Sequence, residues 1–173
     1  AADVIIGNPP FLGGKKLRSE LGGTYIDALF DLYNERVPKE ADLVTYWFER
    51  ASRLVNVKLT ERVGLLSTNS IRGGANRKIL ERIESFGNIF MAWSDREWIL
   101  DGAAVRVSMV AFDNGTEQYH TLDGKTVEQI NSDLTSIGDL TIAEGLVENI
   151  GLSFMGVTPA GAFDIPEQRS EEH

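Results

Sequence analysis

The apolar positions fall into short continuous runs separated by stretches at helical spacing, and the alternation sets an order of elements. Asp3-Val4-Ile5-Ile6-Gly7 is an apolar run that stops at Asn8-Pro9-Pro10, which predicts a buried strand cut off by the two prolines. Thr24, after two glycines, is positioned to cap a helix carrying Tyr25, Leu29, Leu32 and Tyr33. A second helix is expected after Pro38, with Val44, Trp47, Phe48, Ala51, Leu54 and Val55 on one apolar stripe that reads as core packing. Arg62 to Thr68 is nearly continuous in apolar residues and predicts a strand covered on both faces, parallel to the first because helices separate the two. Ile79, Leu80, Ile83 and Phe86 mark a further helix, stopped by Gly87-Asn88. Ile89 to Trp93 predicts a third strand and Val105 to Phe112 a fourth. The roughly ten residues between them show no helical pattern, so a polar loop and antiparallel pairing are expected. Tyr119 to Leu122 enters a turn at Asp123-Gly124, and Thr126 to Leu134 reads as a short helix. From Gly145 to Pro166 the glycines and prolines suggest extended connecting backbone.

This order describes an α/β fold, and specifically half of a sheet with an antiparallel hairpin at one side. A half is expected because the first strand begins at residue 3 of a chain that starts with Ala1, which points to a fragment of a longer protein. Two regions are anticipated, residues 1–113 as the sheet-bearing part and residues 114–173 as an acidic, loop-rich extension.

Composition narrows the chemistry. An apolar share of 42% and a charged share of 25% are those of a globular chain with a core. No apolar run is long enough for a bilayer and no basic leader is present, so membrane and secretory readings fall away and the cytoplasm is the default expectation. With no cysteine and only His120 and His173, neither thiolate nor histidine-based metal centres can form, and no metal is expected. The net charge of −9 is unevenly spread: residues 1–80 hold 12 Lys and Arg against 9 Asp and Glu, residues 81–173 hold 5 against 17. A polyanion is better received by the first half, although the acidic surface also has an ordinary explanation in solvation.

The strongest chemical signal is Asn8-Pro9-Pro10-Phe11, which resembles the signature of the amino-methyltransferases. An exocyclic amine delocalises its lone pair into the ring, so attack on a sulfonium methyl needs two acceptors that hold its N–H bonds and favour pyramidal geometry. The Asn8 side-chain oxygen and the Pro9 carbonyl fit that task, the prolines stiffen the backbone, and Phe11 offers a face for an extruded base. No nucleophilic side chain and no metal is required, because the transfer is a single in-line displacement helped by proximity. In an open parallel sheet the working loops gather beyond the carboxyl ends of the strands. Asn8 to Phe11, Asn69 to Gly74 and Trp93 to Gly102 are all expected there.

Five segments carry a more specific resemblance: residues 8–15 (Asn-Pro-Pro-Phe-Leu-Gly-Gly-Lys), 27–30, 41–48, 68–77 and 101–110. Together they resemble the methyltransferase region of the single-chain type II restriction-modification enzymes (type IIL/IIG), and the likeness extends through Phe154-Met155-Gly156 and Phe163-Asp164-Ile165. The resemblance implies the C-terminal half of a Rossmann-like class I S-adenosylmethionine-dependent sheet, mostly parallel with a terminal antiparallel hairpin. It also implies N6-adenine methylation of double-stranded DNA, with Asn8, Pro9, Pro10 and Phe11 as the catalytic motif and Asn8 bordering the donor. A second aromatic from the loop between the last two strands is then expected to hold the flipped base, with Trp98 favoured and Trp93 in reserve; each also has a plain explanation as core packing. Lys15, Lys16, Arg72 and Arg77 are candidates for phosphate contact, with solvated surface roles as the alternative. Arg106, in an otherwise apolar strand, is expected to pair with a carboxylate such as Asp101.

The family's glycine-containing loop that cradles S-adenosylmethionine lies upstream of the Asn-Pro-Pro motif, and nothing downstream of Asp3 replaces it. Most of the donor site is therefore expected outside this chain, which should be nearly inactive alone and prone to self-association through the edge of its first strand. Two other functions stay open at this point: a methyltransferase acting on protein glutamine or RNA, and a non-catalytic interaction module with the same fold.

Overall fold

The computed structural model describes residues 2–100 and 103–136. All of them belong to one compact unit, Ala1–Thr141, while the second unit, Ile142–His173, lies outside the described residues, as do the expected extended backbone and the 154–165 motifs. The sheet consists of β1 (Val4–Gly7), β2 (Arg62–Thr68), β3 (Asn88–Leu100), β4 (Ala103–Asp113), β5 (His120–Leu122) and β6 (Lys125–Val127), in the spatial order β1-β2-β4-β3-β5-β6. β1 pairs parallel with β2, β3 pairs parallel with β5, and β4 runs antiparallel to both β2 and β3. β1, β2, β3 and β5 thus share one direction and β4 and β6 oppose it. The third and fourth strands pair antiparallel as expected, and the structure adds where the hairpin lies. Helix α4 (Gly74–Glu84) carries the chain from β2 to β3 across a one-strand gap, and β4 returns through that gap.

The helical layer is built from α3 (Val44–Asn56) and α4, whose apolar stripes press on one face of the sheet. Phe48 and Phe112 stack at 6.1 Å, flanked by Val55, Val63, Leu65, Ile83 and Ile89, each of which is fully buried or nearly so. A fully buried side chain of this size contributes about 1.5–3 kcal/mol by leaving water, so this layer fixes the sheet's orientation. Trp47, expected on the inner stripe of α3, instead points half into solvent; the inner face is completed by Thr45, Glu49 and Ser52.

Between β1 and α3 the chain inserts a short helical turn (Gly14–Lys16), α1 (Leu17–Leu21) and α2 (Gly23–Leu32), which enclose a second cluster of Leu17, Ile26, Tyr33, Val37, Ala41 and Tyr46. Tyr25 and Leu32, expected inside, are exposed; Ile26 takes the buried position. Nor does Thr24 cap α2, since Gly22 at φ 85° turns the chain into the helix and no side chain caps it. Glu49 ties the insertion to the main layer: only 1% exposed, it accepts hydrogen bonds from Arg36 at 3.1 Å and Arg82 at 3.4 Å. Arg82 also donates to the Glu35 carbonyl at 2.9 Å, so one buried carboxylate joins the α2–α3 connection, α3 and α4.

Three further expectations change. The polar loop expected between Trp93 and Gly102 is strand as far as Leu100 and again from Ala103, with a bulge between Trp93 and Arg96. The bulge interrupts the period-two pattern, and the solvated outer hairpin has no reason to alternate. The helix expected over Thr126 to Leu134 is absent: β6 ends at Val127, and Ile130 and Leu134 are buried through an irregular turn in which Leu134 takes φ 57°. Burial four residues apart imitated a helix. Asp123 and Gly124, with φ 51° and 79°, do form the tight turn expected there. Finally, among the described residues only one face of β1 is covered, since Ile5 packs on the core whereas Ile6 is 84% exposed. Ile6, Gly64, Leu66, Met91, Trp93 and Met109 line an apolar groove of about 240 Å³ on the sheet face opposite the helices.

Candidate active site

Because β1, β2 and β3 point the same way, their carboxyl ends meet at one edge, and the motif-bearing segments collect there. Gly7, the last residue of β1, pairs with Leu65, and the next residue is Asn8. The Asn8 side chain is exposed, Pro9 is buried, and Phe11 is half-buried. Neither the Asn8 carboxamide nor the Pro9 carbonyl has a hydrogen-bond partner among the described residues. Two unengaged acceptors beside a proline-stiffened backbone at a strand end suit an amine with two N–H groups.

The chain beyond the motif is pinned on both sides. Leu43 N–H donates to the Leu12 carbonyl at 2.9 Å, and Gly14 N–H donates to Asp42 Oδ1, also at 2.9 Å. On the other carboxylate oxygen, Asp42 accepts the Ser70 hydroxyl at 2.7 Å and the Asn76 carboxamide at 2.9 Å. The Asp42 backbone N–H in turn donates to Asn76 Oδ1 at 2.7 Å. Ser70 follows β2 and Asn76 opens α4, so Asp42 spans the loops after β1 and β2. Sequence reasoning passed over Asp42, Ser70 and Asn76. The available signal was a carboxylate between Ala41 and Leu43 at the entry to an apolar helix, where it needs donors to be tolerated.

A third element overhangs the same edge. Thr68, the end of β2, pairs with Val107, so Ala103–Arg106 and Glu97–Leu100 continue past the edge as a two-stranded arm. Four residues at about 3.3 Å each make an overhang of roughly 13 Å. Trp98 sits on this arm opposite Val105 and is 38% exposed, on a strand and not in the loop the sequence suggested. Trp93 lies inside the sheet, packed on Gly124 and under the Arg96 guanidinium at 4.4 Å, and it lines the apolar groove. Arg106 pairs with a carboxylate as expected, but the partner is Asp95 at 2.6 Å, with Glu97 at 3.5 Å; Asp101 lies outside the described residues. The hydrogen bond from Arg106 holds the Asp95 carboxyl below the usual carboxylate range, against the opposing effect of desolvation, and Asn69 donates to the same oxygen at 3.4 Å. Asp95 thereby fastens the base of the arm to the loop after β2.

Of the candidate cations, Lys15 and Lys16 are exposed in the turn that follows the motif and have no ion-pair partner among the described residues. Arg72 donates through Nε to the Asp133 carbonyl at 2.9 Å, and Arg77 through Nε to Glu81 at 2.9 Å, so both have structural partners. The edge brings together Asn8 to Phe11, the two lysines, the Asn69–Arg72 turn and Trp98; it leaves Trp93 within the sheet. Among the described residues no acidic or histidine cluster could hold a metal ion, and no helix is long and apolar enough to cross a membrane.

A profile of the MmeI DNA-methyltransferase domain matches residues 2–122. The solved structure of the type IIL restriction-modification enzyme MmeI in complex with DNA is similar to this chain with a TM-score of 0.64 and 22% sequence identity, over 79% of this chain. This chain spans 20% of the length of that protein. No curated protein matches it.

Proposed function

This chain belongs to the MmeI DNA-methyltransferase domain family, and from that premise we propose that it supplies the amine-acceptor half of a DNA adenine-N6 methyltransferase within a restriction-modification protein. One observation carries the reading: the unengaged Asn8 carboxamide and Pro9 carbonyl stand together at the carboxyl end of β1. Both accept, so they suit the two N–H bonds of an exocyclic amine and favour its lone pair leaving the ring plane. Phe11 beside them gives a flipped adenine a ring to stack on, and Trp98 on the overhanging arm is the candidate for its other face.

S-adenosylmethionine, when bound, provides an electrophilic sulfonium methyl group. The residues here fit the acceptor side of that donor: Asn8 borders the strand end where amine and methyl must meet, and the rest of the donor site is assigned to sequence outside this chain. The protein's own part is to orient the amine for in-line attack and to stabilise the positive charge that develops on nitrogen, with the departing proton going to solvent. Lys15, Lys16 and the unused N–H groups of Arg72 and Arg77 are the candidates for backbone phosphates of double-stranded DNA.

Methyl transfer to duplex DNA by the full-length protein tests the assignment. Asn8→Ala is expected to lower the single-turnover rate by about 10²-fold or more, the scale of losing one preorganised hydrogen-bonding group, with donor affinity nearly unchanged. An unaltered rate removes Asn8 from the chemistry, and methylation of RNA or protein in place of DNA reassigns the acceptor. For the isolated chain, calorimetric titration with S-adenosylmethionine is expected to give no saturable heat.

A further inference from the structure

The geometry points to Asp42 as the positioning residue of the site, the group that sets where the Asn8–Phe11 loop stands relative to the loop after β2. The inference rests on the function proposed above and goes beyond it, since Asp42 has no role in binding the amine. Five hydrogen bonds that involve a side chain converge on this residue, besides the bond from the Thr45 N–H to its carbonyl at 3.0 Å. Its Oδ1 takes the Gly14 N–H, its Oδ2 takes Ser70 and Asn76, its N–H gives to Asn76 Oδ1, and its carbonyl takes the Thr45 hydroxyl at 2.7 Å. Hydrogen-bond donors thus face both carboxylate oxygens. Gly14 is six residues beyond Asn8, and the neighbouring Leu12–Leu43 bond prevents the intervening chain from pivoting about Asp42 alone.

The polar chain continues from Asp42 across the edge. The Ser70 hydroxyl, having donated to Asp42, accepts from Thr68 at 2.6 Å and from Asn76 at 3.2 Å. Asn69, next in sequence to both Thr68 and Ser70, reaches Asp95 at the foot of the Trp98 arm. The three segments that would grip a flipped base are therefore linked by side-chain polar contacts, and Asp42 is the link that includes the catalytic motif. Charge-assisted bonds of this kind are the shorter and stronger ones, and a site held by them loses rate steeply when its parts shift by an ångström.

The test exploits the reciprocity of the Asp42–Asn76 pair in the full-length protein. Asp42→Asn sets an amide NH2 against one of the three donors, and Asn76→Asp sets a second carboxylate against the first. The double exchange restores the reciprocal 42–76 pair, because Asn at 42 accepts from Gly14 and donates to Asp at 76, which accepts the backbone N–H of residue 42, while the Ser70 hydroxyl turns to accept from the new amide. Each single variant is expected to lower the single-turnover methylation rate about 10²-fold, with dissociation constants for donor and duplex DNA within about threefold of the parent. The double exchange is expected to recover the rate to within about tenfold of the parent. Singles at parental rate, rate losses matched by losses of affinity, or a double exchange no better than the singles each overturn the inference. Should the singles fail to fold, Ser70→Ala removes one donor at an exposed position: a rate lowered about tenfold with unchanged affinity supports the role, and a parental rate overturns it. Asn8→Ala measured alongside separates the two claims. An active Asn8→Ala protein refutes the proposed function itself, whereas an inactive one beside fully active Asp42 variants refutes only the positioning role.

Discussion

Gly14 is the residue at which the motif loop passes nearest the rest of the chain: a Cβ there would overlap the Glu40 carbonyl oxygen and crowd that of Ala41. The obstruction is backbone, which cannot swing aside as a flexible side chain can. Gly14→Ala is therefore expected to displace the loop, cost about 1–3 kcal/mol as overpacking does, and lower methyl transfer by the full-length protein. Urea denaturation and single-turnover kinetics together check this, and a variant matching the parent in both would show that the loop yields freely. At this scale much was legible in advance. Asn8 to Phe11 stood out as candidates because the proposed chemistry demands those atom types in one short stretch. Asp42 did not, because its value lies in partners 28 and 34 residues away, Gly14 and Ser70 at the first separation and Asn76 at the second.

The β3–β4 hairpin is the element whose character changed most between expectation and structure. Its inner part was readable, since Val110 and Phe112 are buried at the strand period and Ile89 and Ala92 are buried with them on either side of a bulge before Met91. Its outer part, with Ser94-Asp95-Arg96-Glu97, has no apolar pattern because it reaches past the helical layer into solvent. What keeps it a strand is pairing across the hairpin and the Asp95–Arg106 ion pair. Asp95 is held below the ordinary carboxylate range chiefly by its hydrogen bond to Arg106, so its contribution is complete above that range and is lost only as pH falls through the depressed value. The arm should hence be intact at neutral pH. Trp98→Ala on it is expected to weaken base extrusion, seen as reduced fluorescence of a 2-aminopurine target in the full-length protein, with little change in melting temperature because Trp98 is partly exposed. A parental fluorescence signal would exclude Trp98 from the base pocket.

At the scale of the whole molecule, the described residues cover the sheet on one face and leave it open on the other. Val4 and Ile6 on β1 and Met91 on β3 project from the open side, and β1 pairs on one side alone among the described residues. An unpaired strand edge beside an apolar face favours association with another chain. Sedimentation of the isolated chain at high concentration is expected to show dimers or larger species, and Ile6→Lys to shift the distribution toward monomer; a monodisperse parent would contradict this. The sequence alone determined the α/β class, the parallel β1–β2 pair, the antiparallel β3–β4 pair and the place of the Asn8–Phe11 segment after β1, because those follow from local hydrophobic periodicity and proline placement. Tertiary structure decided what depends on contacts distant in sequence. It placed β4 between β2 and β3, made the Trp98 segment a projecting strand, buried Ile130 and Leu134 without a helix, and gathered Gly14, Ser70 and Asn76 around Asp42. Periodicity reports how each residue meets its neighbours along the chain, whereas a hydrogen bond across 28 residues is settled only when the helices pack and bring the strand ends to one edge.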